Sequence, residues 1–358
     1  MIDLKTYGYN DQLATAFAEL GLDNCIPGRV VADYGGYLRV ATPAEYESDI
    51  SGNLVHKSEK YQLPKVGDWV ALQPSNLNKA VVRAVLPRFS EINRKAAGTG
   101  NIRQVLATNI DVAFVVQALD FDLSPMRLER YSYQLRQSNI EPVFIFNKAD
   151  KLADISDKLT QIDGLSVPYI VTIAITGEGI DKIKAMIHDS KTSVFLGSSG
   201  VGKSTLTNAL LGDNRQKTAE IRQSDSTGRH TTSHRELFLL PSGGMIIDTP
   251  GIRELQLWGE EEYLTQSFQD IKDLAVGCEF NNCSHTKEAN CAVLAAVAGG
   301  TLVATRLESY LKFKNELQAQ AFTTASLLAK QKKQRARRMR KAVEMDEKLA
   351  DDGETYGD

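Results

Sequence analysis

Hydrophobic and polar positions change their period three times along the chain. From Asp11 to Leu20 they follow helical spacing, and Gly21 stops the run, so one short helix is expected there. Residues 26–90 are different. Gly28-Arg29-Val30-Val31-Ala32, Tyr37-Leu38-Arg39-Val40, Asp68-Trp69-Val70-Ala71-Leu72 and Ala80-Val81-Val82-Arg83-Ala84-Val85 are short β-rich runs split by Gly, Pro or polar turns. Several short strands at close spacing predict a small barrel. A length of about 65 residues suits a five-stranded oligonucleotide-binding (OB) barrel, with an SH3-like barrel as the alternative. Residues 91–108 are polar and contain glycine, and read as a linker or mobile loop.

Beyond residue 108 strands and helices alternate. Val112 to Val116, Pro142 to Phe146, Tyr169 to Ile173 and Ser193 to Leu196 are apolar runs of buried-strand length. Ser124-Pro125 opens a helix that runs through Gln137, with Ser as cap and Pro at the first position. Such alternation predicts a parallel, doubly wound sheet. Residues 258–325 read as mostly helical around three cysteines.

Composition narrows the picture without naming a function. The chain has 358 residues, 42% hydrophobic and 24% charged, which suits a globular protein of two or three domains. No run approaches the roughly 18 apolar residues of a membrane helix, so no membrane partner is expected. The first residues lack a basic stretch followed by an apolar one, so no secretory signal is read and a cytoplasmic location is expected. Four cysteines, three of them clustered, suggest metal binding in a reducing compartment rather than a disulfide framework.

The clearest chemistry is Gly197-Ser198-Ser199-Gly200-Val201-Gly202-Lys203-Ser204, which fits G-x-x-x-x-G-K-[ST]. The glycines let backbone N–H groups turn onto a phosphate. Lys203 would reach the β- and γ-phosphates, and the Ser204 hydroxyl would bind Mg²⁺. The strand Val194-Phe195-Leu196 precedes the loop, and a helix from Thr205 to Leu211, stopped by Gly212, follows it. That helix points its positive end at the phosphates.

The base is read from Asn147-Lys148-Ala149-Asp150, at the end of the strand closing on Phe146. In an N-K-x-D motif the carboxylate accepts from the ring N1–H and the exocyclic amine of guanine. Adenine lacks that pair of donors and would leave the carboxylate buried and unpaired. Asp248-Thr249-Pro250-Gly251 follows Met245-Ile246-Ile247 and fits D-x-x-G. There Asp248 would hold Mg²⁺ through water, and the Gly251 N–H would sense the γ-phosphate. Gly228-Arg229-His230-Thr231-Thr232 lies between the two motifs. Thr231 or Thr232 should close on Mg²⁺ and the γ-phosphate, with Thr232 preferred.

The order of these motifs is permuted, because N-K-x-D precedes the P-loop by about 50 residues. Strand position in the sheet, not chain order, would assemble the site. The D-x-x-G segment then leads straight into the C-terminal region. The loop expected to touch the guanine ring is Ile173-Ala174-Ile175, which lacks the usual Ser and Lys. Ile252 stands directly after Gly251, where a water-orienting Gln is common, and an apolar side chain cannot orient water. His230 is the candidate catalytic group, with a solvated loop histidine as the alternative.

Cys278-x₄-Cys283-x-His285-x₅-Cys291 supplies three thiolates and one imidazole, a full tetrahedral set for one structural zinc. Between Lys330 and Lys341 eight of twelve residues are basic, and an acidic end follows. Eight positive charges without interleaved acids favour a phosphate-backbone partner. Net charge is only −3, so this is a local feature. Nothing in the residues demands an oligomer, and a monomer is expected. Two other classes stay open on residues alone: an ATP-using P-loop kinase, and an RNA-binding module whose P-loop senses nucleotide with little turnover.

The order N-K-x-D, P-loop, threonine switch, D-x-x-G and Cys₃His behind a small barrel resembles the ribosome small subunit-dependent GTPase A family (RsgA, also YjeQ or YloQ). Leu128-Glu129-Arg130-Tyr131 and Gly228-Arg229-His230-Thr231-Thr232 support it. The resemblance covers roughly residues 26–325 and departs from the pattern at Ile173 and in both tails. It implies a multidomain α/β protein with an OB-type barrel, a circularly permuted P-loop GTPase domain and a mostly helical zinc-binding domain. It further implies binding of GTP and GDP, contact with the small ribosomal subunit and its rRNA, a role in late subunit maturation, and GTPase stimulation by the subunit. The expected division is an N-terminal helical extension at 1–25, barrel at 26–95, GTPase domain at 96–257, zinc domain at 258–325 and tail at 326–358. Bound nucleotide would be gripped by Asn147, Lys148, Ala149, Asp150, Gly197 to Thr205, Thr231, Thr232, Asp248 and Gly251.

Overall fold

The computed structural model describes residues 3–75, 78–95, 103–160, 162, 167–188, 190–212, 235–248, 264, 268–315 and 317–318. The expected switch residues His230, Thr231, Thr232 and Gly251, with Ile252 and the basic run Lys330–Lys341, lie outside them. Two compact units form, Met1–Gln256 and Leu257–Asp358.

The first unit begins with the helix α1 (Asp11–Ala18), capped by the Asn10 side chain, which accepts from the Leu13 N–H at 3.0 Å. Five strands then close a barrel: β1 (Ile26–Asp33), β2 (Leu38–Ala41), β3 (Glu45–Ile50), β4 (Trp69–Pro74) and β5 (Lys79–Val85). A short helix, α2 (Gly52–Lys57), joins β3 to β4. Neighbours pair antiparallel except β3 with β5, which run parallel, and β1 closes the ring on β4. That path is the OB order, and it excludes the SH3-like alternative. Val30, Leu38, Val40, Val70, Leu72, Ala80 and Val82 fill the interior.

The third strand escapes the hydrophobic pattern, because Glu45, Glu47 and Asp49 interrupt it. Sheet pairing on both sides overrides weak propensity there. Residues 91–108 likewise differ from the expected linker. They hold β6 (Glu91–Lys95) and β7 (Arg103–Thr108), an antiparallel pair. Ile92, Val105, Leu106 and Ala107 from this pair are buried, so its apolar positions supply the core contact that its polar average concealed.

The α/β part follows: β8 (Val112–Ala118), α3 (Pro125–Gln137), β9 (Glu141–Asn147), α4 (Ser156–Thr160), β10 (Tyr169–Val171), α5 (Ile180–Met186), β11 (Thr192–Leu196), α6 (Lys203–Leu211), β12 (Arg235–Leu239) and β13 (Met245–Asp248). Strand order is β10-β9-β8-β11-β13-β12, parallel except for β12 against β13. β8 and β11 are buried along their whole length, as central parallel strands must be. Side chains alternate between two cores. Phe144 and Phe146 face the core with Leu128 and Tyr131 of α3, while Val143 and Ile145 face the core with Ile183 of α5 and Leu206 of α6.

The barrel is not a separate bead. β1 pairs with β12 through Ala32 and Asp33, so one eleven-stranded sheet runs through both parts. Arg39 forms an ion pair with Glu236 across the same seam. Trp69 and Val31 of the barrel share the α3-side core, as does Tyr7 of the N-terminal segment. Gly67, at φ 96°, lets the loop before β4 touch the end of β7, and a Cβ there would lie 2.1 Å from the Thr108 carbonyl oxygen.

At the centre of the junction lies Arg29, 2% exposed. Its guanidinium donates to the carbonyls of Gly67 (3.2 Å), Asn109 (3.0 Å) and Tyr7, and to the Thr192 hydroxyl (2.8 Å). Arg29→Ala leaves these acceptors buried without their donor, and each orphaned group costs about 1–3 kcal/mol. Urea unfolding of this variant should show a loss of roughly 3 kcal/mol or more. Arg29→Lys, with three donors in place of five, should recover only part of it.

Candidate functional site

The carboxyl ends of β8, β9, β10, β11 and β13 lie along one edge of the sheet, where open α/β sheets bind ligands. Chain direction changes side at β8, which has β9 on one flank and β11 on the other. The P-loop leaves β11, and Gly202 caps α6 at φ 104°. A Cβ at Gly202 would stand 2.2 Å from the Asn147 side-chain nitrogen, so only glycine fits this crossing. Lys203 Nζ donates to the carbonyls of Gly197 (2.8 Å) and Ser198 (2.6 Å), which holds its charge within the loop. Ser204 and Thr205 fall in the first turn of α6, as the motif requires.

Asn147 ends β9 and is 2% exposed. Its side-chain N–H donates to the Val201 carbonyl at 2.8 Å. Its side-chain oxygen accepts from the Thr172 hydroxyl and the Ala174 N–H, each at 3.1 Å. One amide therefore ties three segments together: the end of β9, the P-loop and the loop after β10. Lys148 follows in the left-handed region at φ 63°, with its ammonium 4.8 Å from the centre of the Phe121 ring. Ala149 and Asp150 begin a short 3₁₀ turn, and Asp150 pairs with its exposed neighbour Lys151 at 3.5 Å. Asp248 closes β13, beside β11.

Two contributors escaped the sequence reading. Thr172 supplies a buried hydroxyl to Asn147, and a threonine after an apolar strand carries no signal of that role. Arg127, in the first turn of α3, donates to the Ser198 hydroxyl at 3.1 Å and to Asp122 at 2.8 Å. Only the fold brings Arg127 to the P-loop, 71 residues away in the chain.

The second unit holds α7 (Gln269–Ala275), α8 (Ala292–Ala298) and helical residues 304–315. Phe268 packs edge-on against Phe313 at 5.7 Å and against Tyr310 at 5.5 Å. Cys278, Cys283, His285 and Cys291 converge, with all ligand atoms within 4.8 Å of one another. The Cys278 and Cys291 sulfurs are 3.8 Å apart, and His285 Nδ1 is 3.7 and 3.5 Å from them. Tetrahedral ligands at about 2.3 Å for sulfur and 2.0–2.1 Å for nitrogen sit about 3.5–3.8 Å from each other. The residues therefore fit a metal ion.

Local hydrogen bonds shape this cage. His285 takes the left-handed conformation at φ 59°, which permits the tight Cys-x-His turn. Glu288 accepts from the N–H groups of Ser284, Thr286 and Lys287 and from the Ser284 hydroxyl, bonds that hold its carboxyl well below the usual range. Cys291 caps α8, accepting from the Leu294 N–H at 3.4 Å. Burial, with the neighbouring sulfurs, pushes the Cys283 thiol up to about 11. Thiols and imidazole must lose protons to bind a cation, so metal affinity should fall as pH falls. Metal content measured against pH should show this, and Cys278→Ser should lose the bound metal at neutral pH.

A parallel sheet carrying a P-loop at one strand end and N-K-x-D two strands away, in reversed chain order, defines the circularly permuted GTPase fold. Comparison with known proteins agrees. Residues 85–258 match the family model described as RsgA GTPase. A protein of Opitutus terrae named small ribosomal subunit biogenesis GTPase RsgA is 38% identical over 93% of this chain and 94% of its own length. One of the same name from Leptospira interrogans serogroup Icterohaemorrhagiae serovar Lai is 38% identical over 98% of both chains. The crystal structure of YjeQ from Thermotoga maritima superposes with a TM-score of 0.61 at 26% identity, covering 82% of this chain and 99% of that one. The chain belongs to the RsgA GTPase family.

The Asn147 clamp can be tested directly. Gly202→Ala should weaken GDP binding more than about tenfold by calorimetry, through collision with Asn147. Thr172→Val removes one buried hydrogen bond worth about 1 kcal/mol and should weaken binding about fivefold.

Proposed function

We propose that this protein binds the small ribosomal subunit and acts in its late maturation, hydrolysing GTP to GDP and phosphate with stimulation by the subunit. The observation that carries the nucleotide half is the Asn147 amide, which holds the P-loop and the loop after β10 in one frame. Support for the ribosomal half comes from the relatives' names and from their coverage of nearly the whole chain.

In this reading Asn147, Lys148, Ala149 and Asp150 hold guanine, and Gly197 to Thr205 hold the phosphates. Ser204 and Thr232 bind Mg²⁺, Asp248 reaches it through water, and Thr231 and Gly251 complete the γ-phosphate contacts. His230 is the proposed catalytic residue, in place of the group that Ile252 cannot supply. The Cys₃His cage takes one structural zinc, the ion suited to three thiolates and an imidazole in a closed set. The chain acts as a cytoplasmic monomer. It divides into an extension (1–25), barrel (26–95), GTPase domain (96–257), zinc domain (258–325) and tail (326–358), and the barrel and the basic Lys330–Lys341 run contact rRNA. Among the described residues no helix is long and apolar enough to cross a membrane.

The fold suggests how nucleotide state reaches the barrel. Asp248 ends β13, β13 pairs with β12, and β12 pairs with β1 of the barrel. A shift at the D-x-x-G segment is therefore two strand pairings from the barrel wall.

Turnover of GTP by the purified protein should be slow and should rise when small ribosomal subunits are added, with ATP inert. Ser204→Ala should remove this turnover. An unchanged rate with micromolar subunits would end the ribosomal claim.

A further inference from the structure

Two of the large apolar side chains exposed in the first unit lie on loops beyond the carboxyl ends of β8 and β10. Phe121 is 63% exposed and Ile175 is 81% exposed. Their placement follows from strand order. The loop after β8 carries Phe121, the loop after β9 carries Lys148 and Asp150, and the loop after β10 carries Ile175. Because the sheet runs β10-β9-β8, the N-K-x-D loop lies between the other two.

Both side chains are held in place by their backbones. The Phe121 loop is anchored at its next residue: Asp122 donates its N–H to Ala118 O at 3.0 Å, and its carboxylate and carbonyl accept from Arg127. Arg127 in turn binds Ser198 of the P-loop. The Phe121 ring lies under the Lys148 ammonium at 4.8 Å, a cation–π contact that orients it. Ile175 follows Ala174, whose N–H is fixed on Asn147. Both side chains present apolar surface to solvent on loops that flank the N-K-x-D loop, and a purine base has two apolar faces and a polar edge. Asp150 offers the partner for that edge.

We propose that Phe121 and Ile175 are walls that flank the purine base and ribose and add affinity for the nucleoside, with Phe121 stacking and Ile175 covering by van der Waals contact. The inference rests on the guanine-nucleotide reading of the site. Base–aromatic stacking lost to alanine weakens binding by roughly five- to a hundredfold. An aliphatic wall contributes less.

The test is calorimetric binding of GDP to the full chain and to F121A, F121W and I175A, with inorganic pyrophosphate as a competitor that has no base. F121A should raise the dissociation constant about tenfold and I175A about threefold, F121W should bind at least as tightly as the parent, and the potency of pyrophosphate should not change. Melting without nucleotide should also stay the same, since both side chains are exposed. Unchanged GDP affinity in F121A and I175A, or F121W as weak as F121A, overturns the proposal. So does a loss of pyrophosphate potency matching the loss for GDP, since the effect would then pass through the P-loop. A parent chain that fails to bind GDP would overturn the nucleotide reading itself and leave a distinguishable result.

Discussion

Arg29 carries a positive charge in the interior of the first unit, and much of the architecture is arranged around it. Burial lowers its pKa to about 10, with Asp111 and Asp68 acting in the opposite direction, so it stays protonated at neutral pH. Desolvating one ion costs several kcal/mol, and that cost is offset only if its donors are met. They are met by oxygens from Tyr7, Gly67, Asn109 and Thr192, that is, from the N-terminal segment, the barrel, the β7–β8 turn and the first residue of β11. A lysine could not reach four directions at once. The charge therefore demands that all four segments be in place together, and this links folding of the barrel to folding of the α/β sheet. Asp68, fully buried beside it, is paired in turn with Arg88 at 2.8 Å, and Arg88 also reaches Glu91 of β6.

A similar logic governs the nucleotide edge. A buried amide must be satisfied on both its oxygen and its nitrogen. Asn147 meets that demand with three partners from the P-loop and the loop after β10, so a single residue sets the distance between the P-loop and the N-K-x-D loop. This arrangement is indifferent to chain order. N-K-x-D precedes the P-loop in the chain, yet β9 and β11 still flank β8 in space. The strand bearing Asp248 is separated from the barrel only by β12, so Asp248 and the barrel belong to one sheet.

The second unit solves a different problem. Beside its apolar contacts among Phe268, Tyr310 and Phe313 stands a Cys₃His cluster that could hold a metal ion, with ligands from a loop and a helix cap. Glu288 organises that loop by collecting three backbone N–H groups, and His285 accepts a left-handed backbone to bring its ring to the sulfurs. An ion held by these four ligands would couple its binding to the local fold of the cage.

The chain by itself determined the local chemistry. The P-loop, N-K-x-D, D-x-x-G and Cys₃His patterns were legible because each requires particular residue types at fixed short spacing, and backbone geometry enforces that spacing. The strong runs of β8, β9 and β11 were legible too, because central parallel strands are apolar throughout. Tertiary structure alone decided the rest. β3 is interrupted by acids and forms only because β2 and β5 pair with it. The β6–β7 hairpin looked like a linker, since its few apolar positions acquire meaning only against a core supplied by distant residues. Thr172 and Arg127 bear no local mark of their roles, which depend on partners 25 and 71 residues away. Arg29 reads as one polar residue in a barrel strand. It becomes the keystone only when segments from across the first unit bring their oxygens to it, because a buried charge is stabilised by acceptors that no stretch of sequence contains.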